Sequence, residues 1–144
     1  MTTWILVADE SRARVFAAQQ ANGELSELRS FTHPAGRAHG RDITTERPPS
    51  TFESVGSARH AIEPHTDRET VEAGRFAQQL VSFLESGRLA HEFQRLVLVA
   101  APRFLGVLRA ELSGNLRNLV VLDLAKEVTH EDADAIRERV AEVL

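Results

Sequence analysis

The side chains available for chemistry in this sequence are carboxylates, imidazoles, hydroxyls and guanidinium groups. The chain contains 21 acidic residues, 6 histidines and no cysteine. A thiol nucleophile, a disulfide framework and a thiolate metal site are therefore excluded. Any catalytic or metal-binding site must be built from acids and histidines that the fold brings together.

Two aspartates occupy positions where a two-metal nuclease could hold its ions. Asp9 directly follows the apolar run 4–8, and Asp123 lies within the apolar run 119–124. A ribonuclease-H-like nuclease needs several carboxylates that converge at strand ends on two divalent metals. The apolar run before Pro102 ends without an acid, so the set is incomplete. We therefore predict no metal and no cofactor, and expect Asp9 to be a turn residue whose carboxylate binds its own backbone. A degenerate nuclease that uses Asp9 and Asp123 is the alternative.

Histidines are concentrated in one part of the chain, but their spacing does not indicate a known site. Four of the six fall between positions 33 and 65, and no pair has the i, i+4 spacing of a helical zinc site. No Gly-x-Ser-x-Gly elbow follows a strand. A hydrolase that uses loop histidines stays open as a second form of the enzyme alternative, whereas the favoured interpretation has no catalytic residue.

Segment 33–65 is the most unusual stretch of the sequence. It has no sustained helical or strand period, which in a compact domain is typical of a functional or disordered loop. Its four arginines are balanced by four acids, so histidine protonation below pH ~6.5 would make it positive. Two interpretations stay open, a loop packed on its own domain or a loop that docks on phosphates or RNA. For the second, the candidate binding residues are Arg37, Arg41, Arg47, Gly56, Arg59 and His60.

Arg103 is a further candidate for the same surface. It follows Pro102, which is predicted to open a helix because the missing N–H of proline costs little there. Free backbone N–H groups at the start of a helix attract anions. Arg103 could therefore complete an anion site at that point.

The pattern of apolar residues predicts the elements that would position these side chains. Strand-length runs are expected at 4–8, 14–17, 24–31, 96–100 and 119–124, the third as a charged edge strand and the last two as buried strands. Helical stripes are expected after a capping box of Thr66 and Glu69, after Pro102, and after a reduced capping box of Thr129 and Asp132. The order β-β-β-α-β-α-β-α predicts a mixed α/β fold of the ribonuclease-H-like kind, with five strands and three main helices.

Size and charge set the broad class of protein. The 144 residues, with 42% hydrophobic and 26% charged residues, predict a single globular domain over 1–144 that contains the loop 33–65. Because 17 basic residues face 21 acidic ones, the formal charge is −4, and we expect no DNA partner. No run is long enough to span a bilayer, and no signal peptide is recognised, so a cytoplasmic protein without membrane insertion is expected. The sequence does not predict an oligomeric state, although the edge of the third strand offers a surface for an oligomerising module.

Several segments, in order and spacing, resemble the bacterial host-attachment family (protein required for attachment to host cells). The resemblance covers nearly the whole chain and is strongest at 96–106, Leu-Val-Leu-Val-Ala-Ala-Pro-Arg-Phe-Leu-Gly. The other matching stretches are 4–9, 11–16, His33-Pro34, Arg41-Asp42, 46–48 with Phe52, and Arg59-His60. The family is similar, more distantly, to the middle domain of the archaeal and eukaryotic class I release factor and of the rescue factor Pelota.

The resemblance implies a release-factor-like fold and a partner in translation, either the ribosome or tRNA. Release factors of that group carry a Gly-Gly-Gln tip in the loop before the long helix, which here corresponds to residues 33–65. This loop has Gly56 followed by Ser57 and no Gly-Gly-Gln. The expected function is therefore a non-enzymatic, ribosome- or tRNA-associated domain that binds through the 33–65 loop.

Overall fold

The computed structural model describes residues 1–19, 23–35 and 62–144, with side chains described from residue 68 onward in the last range. The strands are β1 (Thr3–Ala8), β2 (Arg12–Ala18), β3 (Ser26–Thr32), β4 (Arg95–Ala100) and β5 (Val120–Ala125). The helices are α1 (Ile62–Leu89), α2 (Pro102–Glu111), α3 (Gly114–Leu119) and α4 (Ala133–Val140), followed by a 3₁₀ turn at Ala141–Val143.

The strands form one mixed sheet in the order β3-β2-β1-β4-β5. β1 is antiparallel to β2 and β2 to β3, whereas β1, β4 and β5 are parallel neighbours. The predicted mixed α/β fold is confirmed. The five predicted strands are present, and Pro102 begins α2 as expected.

Strand β1 lies at the centre of the molecule, and all six of its residues are buried. Its alternate side chains serve two separate cores, as expected for a strand covered on both faces. Trp4, Leu6 and Ala8 pack under helices α1, α2 and α3. Ile5 and Val7 point the other way and pack with Ile136 of α4. The sheet is therefore sandwiched between three helices on one face and one on the other.

The two predicted capping boxes were wrong. Helix α1 begins at Ile62, four residues before Thr66, so Thr66 lies inside the helix and not at its start. At α4 the N-cap is Asp132, whose carboxylate accepts the Ala135 N–H at 2.9 Å, and Thr129 is engaged elsewhere. At α4 the Thr-x-x-acid pattern occurred by spacing alone, because the Thr129 hydroxyl binds Asp9 and not the helix.

The last strand also differs from expectation. β5 was predicted to be buried, but it is an edge strand with no fully buried residue, and Val121 is 41% exposed. The short helix α3, capped by the Ser113 hydroxyl at 3.1 Å from the Leu116 N–H, was not predicted. An apolar run alone does not distinguish a central strand from an apolar edge strand, because the difference lies in what packs beside it.

None of the helices in the described part of the chain is both long and apolar enough to cross a membrane.

Gly87 permits the closest contact between α1 and the sheet. Helix α1 runs through Gly87 without interruption and ends at Leu89. A Cβ atom at this position would lie 2.6 Å from Cζ3 of Trp4 and 3.1 Å from Cε1 of Phe93. These two rings are stacked with centroids 4.5 Å apart, so neither can move without disturbing the core. The sequence position demands glycine for packing, not for a turn.

Replacing Gly87 with alanine should therefore destabilise the protein by roughly 1–3 kcal/mol, the usual cost of overpacking a core. Gly74, on the same helix, is the matched control, because a Cβ atom added there would meet no other atom within 4 Å. Gly74→Ala should be neutral or stabilising by about 0.5–1 kcal/mol, because alanine is the better helix former. Urea unfolding of the two variants measures both effects. Equal stabilities for the two variants would contradict the proposed contact with Trp4.

Candidate functional site

The parallel strands β1, β4 and β5 have their carboxyl ends, Ala8, Ala100 and Ala125, at the same end of the sheet. We call this end of the sheet the rim. From the rim the chain leaves β1 towards β2 on one side and β4 towards α2 and β5 on the other. Ligands of open α/β sheets bind in the crevice at such a divergence. A cavity of about 310 Å³ lies there, lined by Asp9, Glu10, Ser11, Ala101 and Glu127.

Asp9 forms the turn that joins β1 to β2, as predicted. Its Oδ1 atom accepts the backbone N–H groups of Ser11 and Arg12, both at 2.8 Å, and the Ser11 hydroxyl at 3.2 Å. The Asp9 N–H donates in turn to the Arg12 carbonyl at 2.9 Å. One carboxylate oxygen is thus used entirely to hold the turn.

The other carboxylate oxygen of Asp9 contacts a residue from the far end of the chain. The Thr129 hydroxyl lies 3.0 Å from Asp9 Oδ2 and 3.1 Å from Glu127 Oε1, and the Thr129 N–H also donates to Glu127 Oε1 at 3.2 Å. Thr129 is only 1% exposed. A hydroxyl has a single hydrogen, so it cannot donate to both carboxylates at once. When the hydroxyl donates to Asp9, Glu127 Oε1 still accepts the Thr129 N–H, and a proton on one of the two acids would add a further hydrogen bond within the group.

The electrostatics of the pair indicate which acid carries the proton. Burial raises the pKa of Glu127, and its hydrogen bond with Asp9 raises it further. Burial also raises the pKa of Asp9, but hydrogen bonds from Glu127, Ser11, Arg12 and Thr129 together outweigh it, so the pKa of Asp9 is lowered. Two interacting acids with opposite shifts share one proton over an intermediate pH range, and Glu127 is its main carrier.

Arginines of β2 bind the connection that contains Glu127 and Thr129. We call residues 126–132, between β5 and α4, the strap. Arg14 Nη1 donates to the carbonyls of Thr129 at 3.1 Å and Glu131 at 2.6 Å, while its other nitrogens bind Glu27. Arg12 Nη1 lies 3.2 Å from His130 Nδ1. The strap is therefore attached to β2 and to the β1–β2 turn by separate contacts.

On the α1 side of the sheet, the rim carries a second polar group of residues. His33, just after β3, lies 3.0 Å from Glu72 Oε1 of α1 and stacks on Phe76. Arg103, at the start of α2, is 73% exposed in its side chain and lies 3.9 Å from Glu69. These contacts place the end of β3, the first turns of α1 and the start of α2 near one another.

Most of the binding residues predicted from the sequence lie outside the described residues. These are Arg37, Arg41, Arg47, Gly56, Arg59 and His60. Arg103 is described and occupies the predicted place at the start of α2. Its role in anion binding stays a prediction.

The two aspartates of the nuclease alternative line different cavities. Asp123 binds Arg109 through both carboxylate oxygens, at 3.0 and 3.1 Å, beside a cavity of about 460 Å³ at the β5 edge. Asp9 faces the rim cavity and already accepts four hydrogen bonds within the protein. In the part of the chain that the structure describes, no group of three or more histidines and acids is arranged to hold a metal ion.

Sequence reasoning missed Glu127 and Thr129, which complete the rim together with Asp9. The available signal was their position directly after the last strand of the parallel part of the sheet, where strand ends converge. The spacing of Thr129 and Asp132 pointed instead to a helix cap. Among the described residues, Glu127 is the acid that interacts with Asp9, whereas Asp123 pairs with Arg109.

Comparisons with known proteins identify a relative in sequence and similar solved structures. An uncharacterized protein of Rickettsia prowazekii (strain Madrid E) is 27% identical over 97 residues, which are 66% of this chain and 65% of that protein. Among solved structures, the archaeal translation termination factor aRF1 matches with a TM-score of 0.53 at 11% identity, over 99% of this chain. A Ppx/GppA phosphatase of Aquifex aeolicus matches with a TM-score of 0.41 at 12% identity, over 86% of this chain.

The chain spans only about a third of the length of these solved proteins, 35% in both cases. The likeness to aRF1 concerns the fold, since the identity is low. The family described as "protein required for attachment to host cells" matches residues 4–140. The chain therefore belongs to the host-attachment family and has a fold shared with a domain of an archaeal translation termination factor.

Proposed function

We propose that this host-attachment domain is a non-catalytic RNA-contacting module that associates with the ribosome or with tRNA through residues 33–65 and the adjoining rim. The observation that carries the proposal is that the elements on either side of this segment, the end of β3 and the first half of α1, both lie at the rim. β3 runs parallel to β1 and ends at Thr32, which pairs with Arg12 at the beginning of β2. Helix α1 approaches the same place, because Glu72 in its first half contacts His33.

The arginines of this surface also support a contact with RNA. The segment supplies four arginines. Arg103 adds an exposed guanidinium beside Glu69 of α1, the helix that follows the segment. Arginine suits phosphate because its planar fork can donate two hydrogen bonds to one anion.

The likeness of the fold to a translation termination factor supports a partner in translation. The missing Gly-Gly-Gln supports binding without peptidyl-tRNA hydrolysis. The saturated hydrogen bonding of Asp9 favours a structural role for this carboxylate over metal-dependent cleavage, because a metal would have to displace bonds that hold the β1–β2 turn.

Co-sedimentation of the full chain with purified bacterial ribosomes, and binding to bulk tRNA, test the proposal. Binding should weaken with salt, because neutralised phosphates release counterions. A variant with Arg37, Arg41, Arg47 and Arg59 changed to glutamine should lose most binding at low salt. If all four contact phosphates, the slope of log K against log salt should become shallower by roughly three.

The matched control changes four arginines away from the rim to glutamine, Arg88, Arg95, Arg109 and Arg117, which gives the same change in net charge. It should keep the salt slope of the unmodified protein once thermal melting has confirmed that it folds. Equal losses in both variants would indicate nonspecific charge attraction and remove segment 33–65 from the interface. An absence of ribosome and tRNA binding by the unmodified chain at low salt would overturn the proposal.

A further inference from the structure

The strap has to hold its place across the rim without burying much of itself. It carries the chain from the edge strand β5 to α4 on the opposite face of the sheet, and its two buried side chains are Val128 and Thr129. Val128 joins the core under α4. Thr129 instead points at Asp9, 120 positions earlier in the chain. The link between the strap and the β1–β2 turn is therefore polar, and its strength depends on how many protons the three groups share.

A proton on one of the two acids, beyond that of the hydroxyl, adds a hydrogen bond to the closed arrangement. With both acids ionised and the Thr129 hydroxyl donating to Asp9, Glu127 Oε1 accepts only the Thr129 N–H at 3.2 Å and faces a lone pair of the hydroxyl at 3.1 Å. Thr129 is almost completely buried, whereas Glu127 is exposed, so water reaches the Glu127 carboxylate but not the hydroxyl that faces it. With Glu127 protonated, Glu127 donates one hydrogen bond and Thr129 donates another to Asp9.

We propose that residues 126–132 form a proton-held latch, which closes on the β1–β2 turn while Asp9 and Glu127 share one proton and loosens when that proton is lost. Glu127 lines the rim cavity, so loosening of the strap exposes Asp9 and enlarges the opening at the rim. The inference concerns the same rim as the proposed RNA contact. The latch does not depend on RNA binding, because the experiments below measure the strap itself.

Other charged groups lie around Asp9 and Glu127 and contribute to the electrostatic potential at the two carboxyl groups. They are Glu10 on the turn, Arg12 and Arg14 on β2, and Lys126, His130 and Glu131 on the strap. Arg14 and Arg12 bind the strap through backbone carbonyls and the imidazole, and Glu131 pairs with Arg139 of α4. These contacts do not need the shared proton, so loss of the proton should loosen the strap without detaching α4.

The shifted pKa values of Glu127 and Asp9 determine how closure of the latch depends on pH. The raised pKa of Glu127 means that the closed state holds a proton more tightly than the open state, whose pKa is the ordinary 4.5. This contribution is complete below pH 4.5 and is lost as the pH rises through the closed-state pKa. The lowered pKa of Asp9 contributes closure above its ordinary value of 3.8, and this is lost as the pH falls through the lowered value. The latch is therefore tightest between the two ordinary values, pH 3.8 and pH 4.5.

The same linkage predicts how global stability varies with pH. The free energy of unfolding should decline as the pH rises through the closed-state pKa of Glu127, and Glu127→Gln should remove this decline because glutamine cannot lose a proton. Urea unfolding across that pH range measures the difference. Glu138→Gln, which changes an exposed carboxylate on α4, is the control and should retain the decline.

Amide hydrogen exchange of the full chain tests the latch directly. The readout is the protection factor of the strap amides, which corrects for the pH dependence of intrinsic exchange. In the unmodified protein, strap protection should fall as the pH rises, by about tenfold for each unit that separates the closed-state pKa of Glu127 from 4.5. Protection in β1 and β4 should stay unchanged.

Glu127→Gln should keep the strap protected across the whole range, because its amide can donate where the protonated acid does. Glu138→Gln should behave as the unmodified protein. As a second variant, Thr129→Ser retains the hydroxyl and should preserve the pH dependence, whereas Thr129→Val should leave the strap weakly protected at every pH. Strap protection that does not vary with pH, or that varies equally in Glu127→Gln, would overturn the proposal.

Discussion

The complete burial of β1 is the constraint from which the rest of the architecture follows. A strand with apolar side chains on both faces needs a cover on each side, and no single layer of helices provides that. Helices α1, α2 and α3 cover one face and α4 covers the other. The chain must therefore pass from β5, beside the first layer, across an edge of the sheet to reach the second face. The strap is that crossing.

A crossing at the rim places polar backbone over the strand ends, where it needs hydrogen-bond partners. The β1–β2 turn and the first residues of β2 supply them. Arg14 binds two strap carbonyls, and Asp9 binds Thr129 beside Glu127. Covering the second face thus explains why residues 120 positions apart meet at the rim, and why two acids approach each other in a chain that otherwise has ample surface for them.

The rim combines two kinds of feature in one place. Below it, the sheet and its helices form an apolar body that holds the strand ends in fixed positions. Above it lie the termini of segment 33–65, the start of α2 with Arg103, and the strap with Glu127 and Thr129. This division of a stable sheet from a polar edge is typical of α/β domains that bind ligands at their strand ends. It is the physical reason for assigning both the proposed RNA contact and the proposed latch to the rim.

Much of the fold could be predicted from the sequence, because the relevant signals are local. The runs at 4–8 and 96–100 indicate strands buried on both faces, Pro102 indicates the start of α2, and Asp9 indicates a turn. The errors occurred where local signals compete with distant contacts. Thr129 fits a capping pattern, yet its hydroxyl is bound by Asp9. The candidate site was less predictable for the same reason. The partner of Asp9, Glu127, has no motif around it and becomes significant only once the strap crosses the rim.

The most direct test of the central claim is to observe the shared proton itself. Infrared difference spectroscopy distinguishes a protonated carboxyl group from a carboxylate by its C=O stretch. Above the ordinary pKa of glutamate, we predict one neutral carboxyl band in the unmodified protein, which disappears as the pH rises further and is absent from Glu127→Gln. No such band, or a band that persists in Glu127→Gln, would contradict a proton shared between Asp9 and Glu127 at the rim.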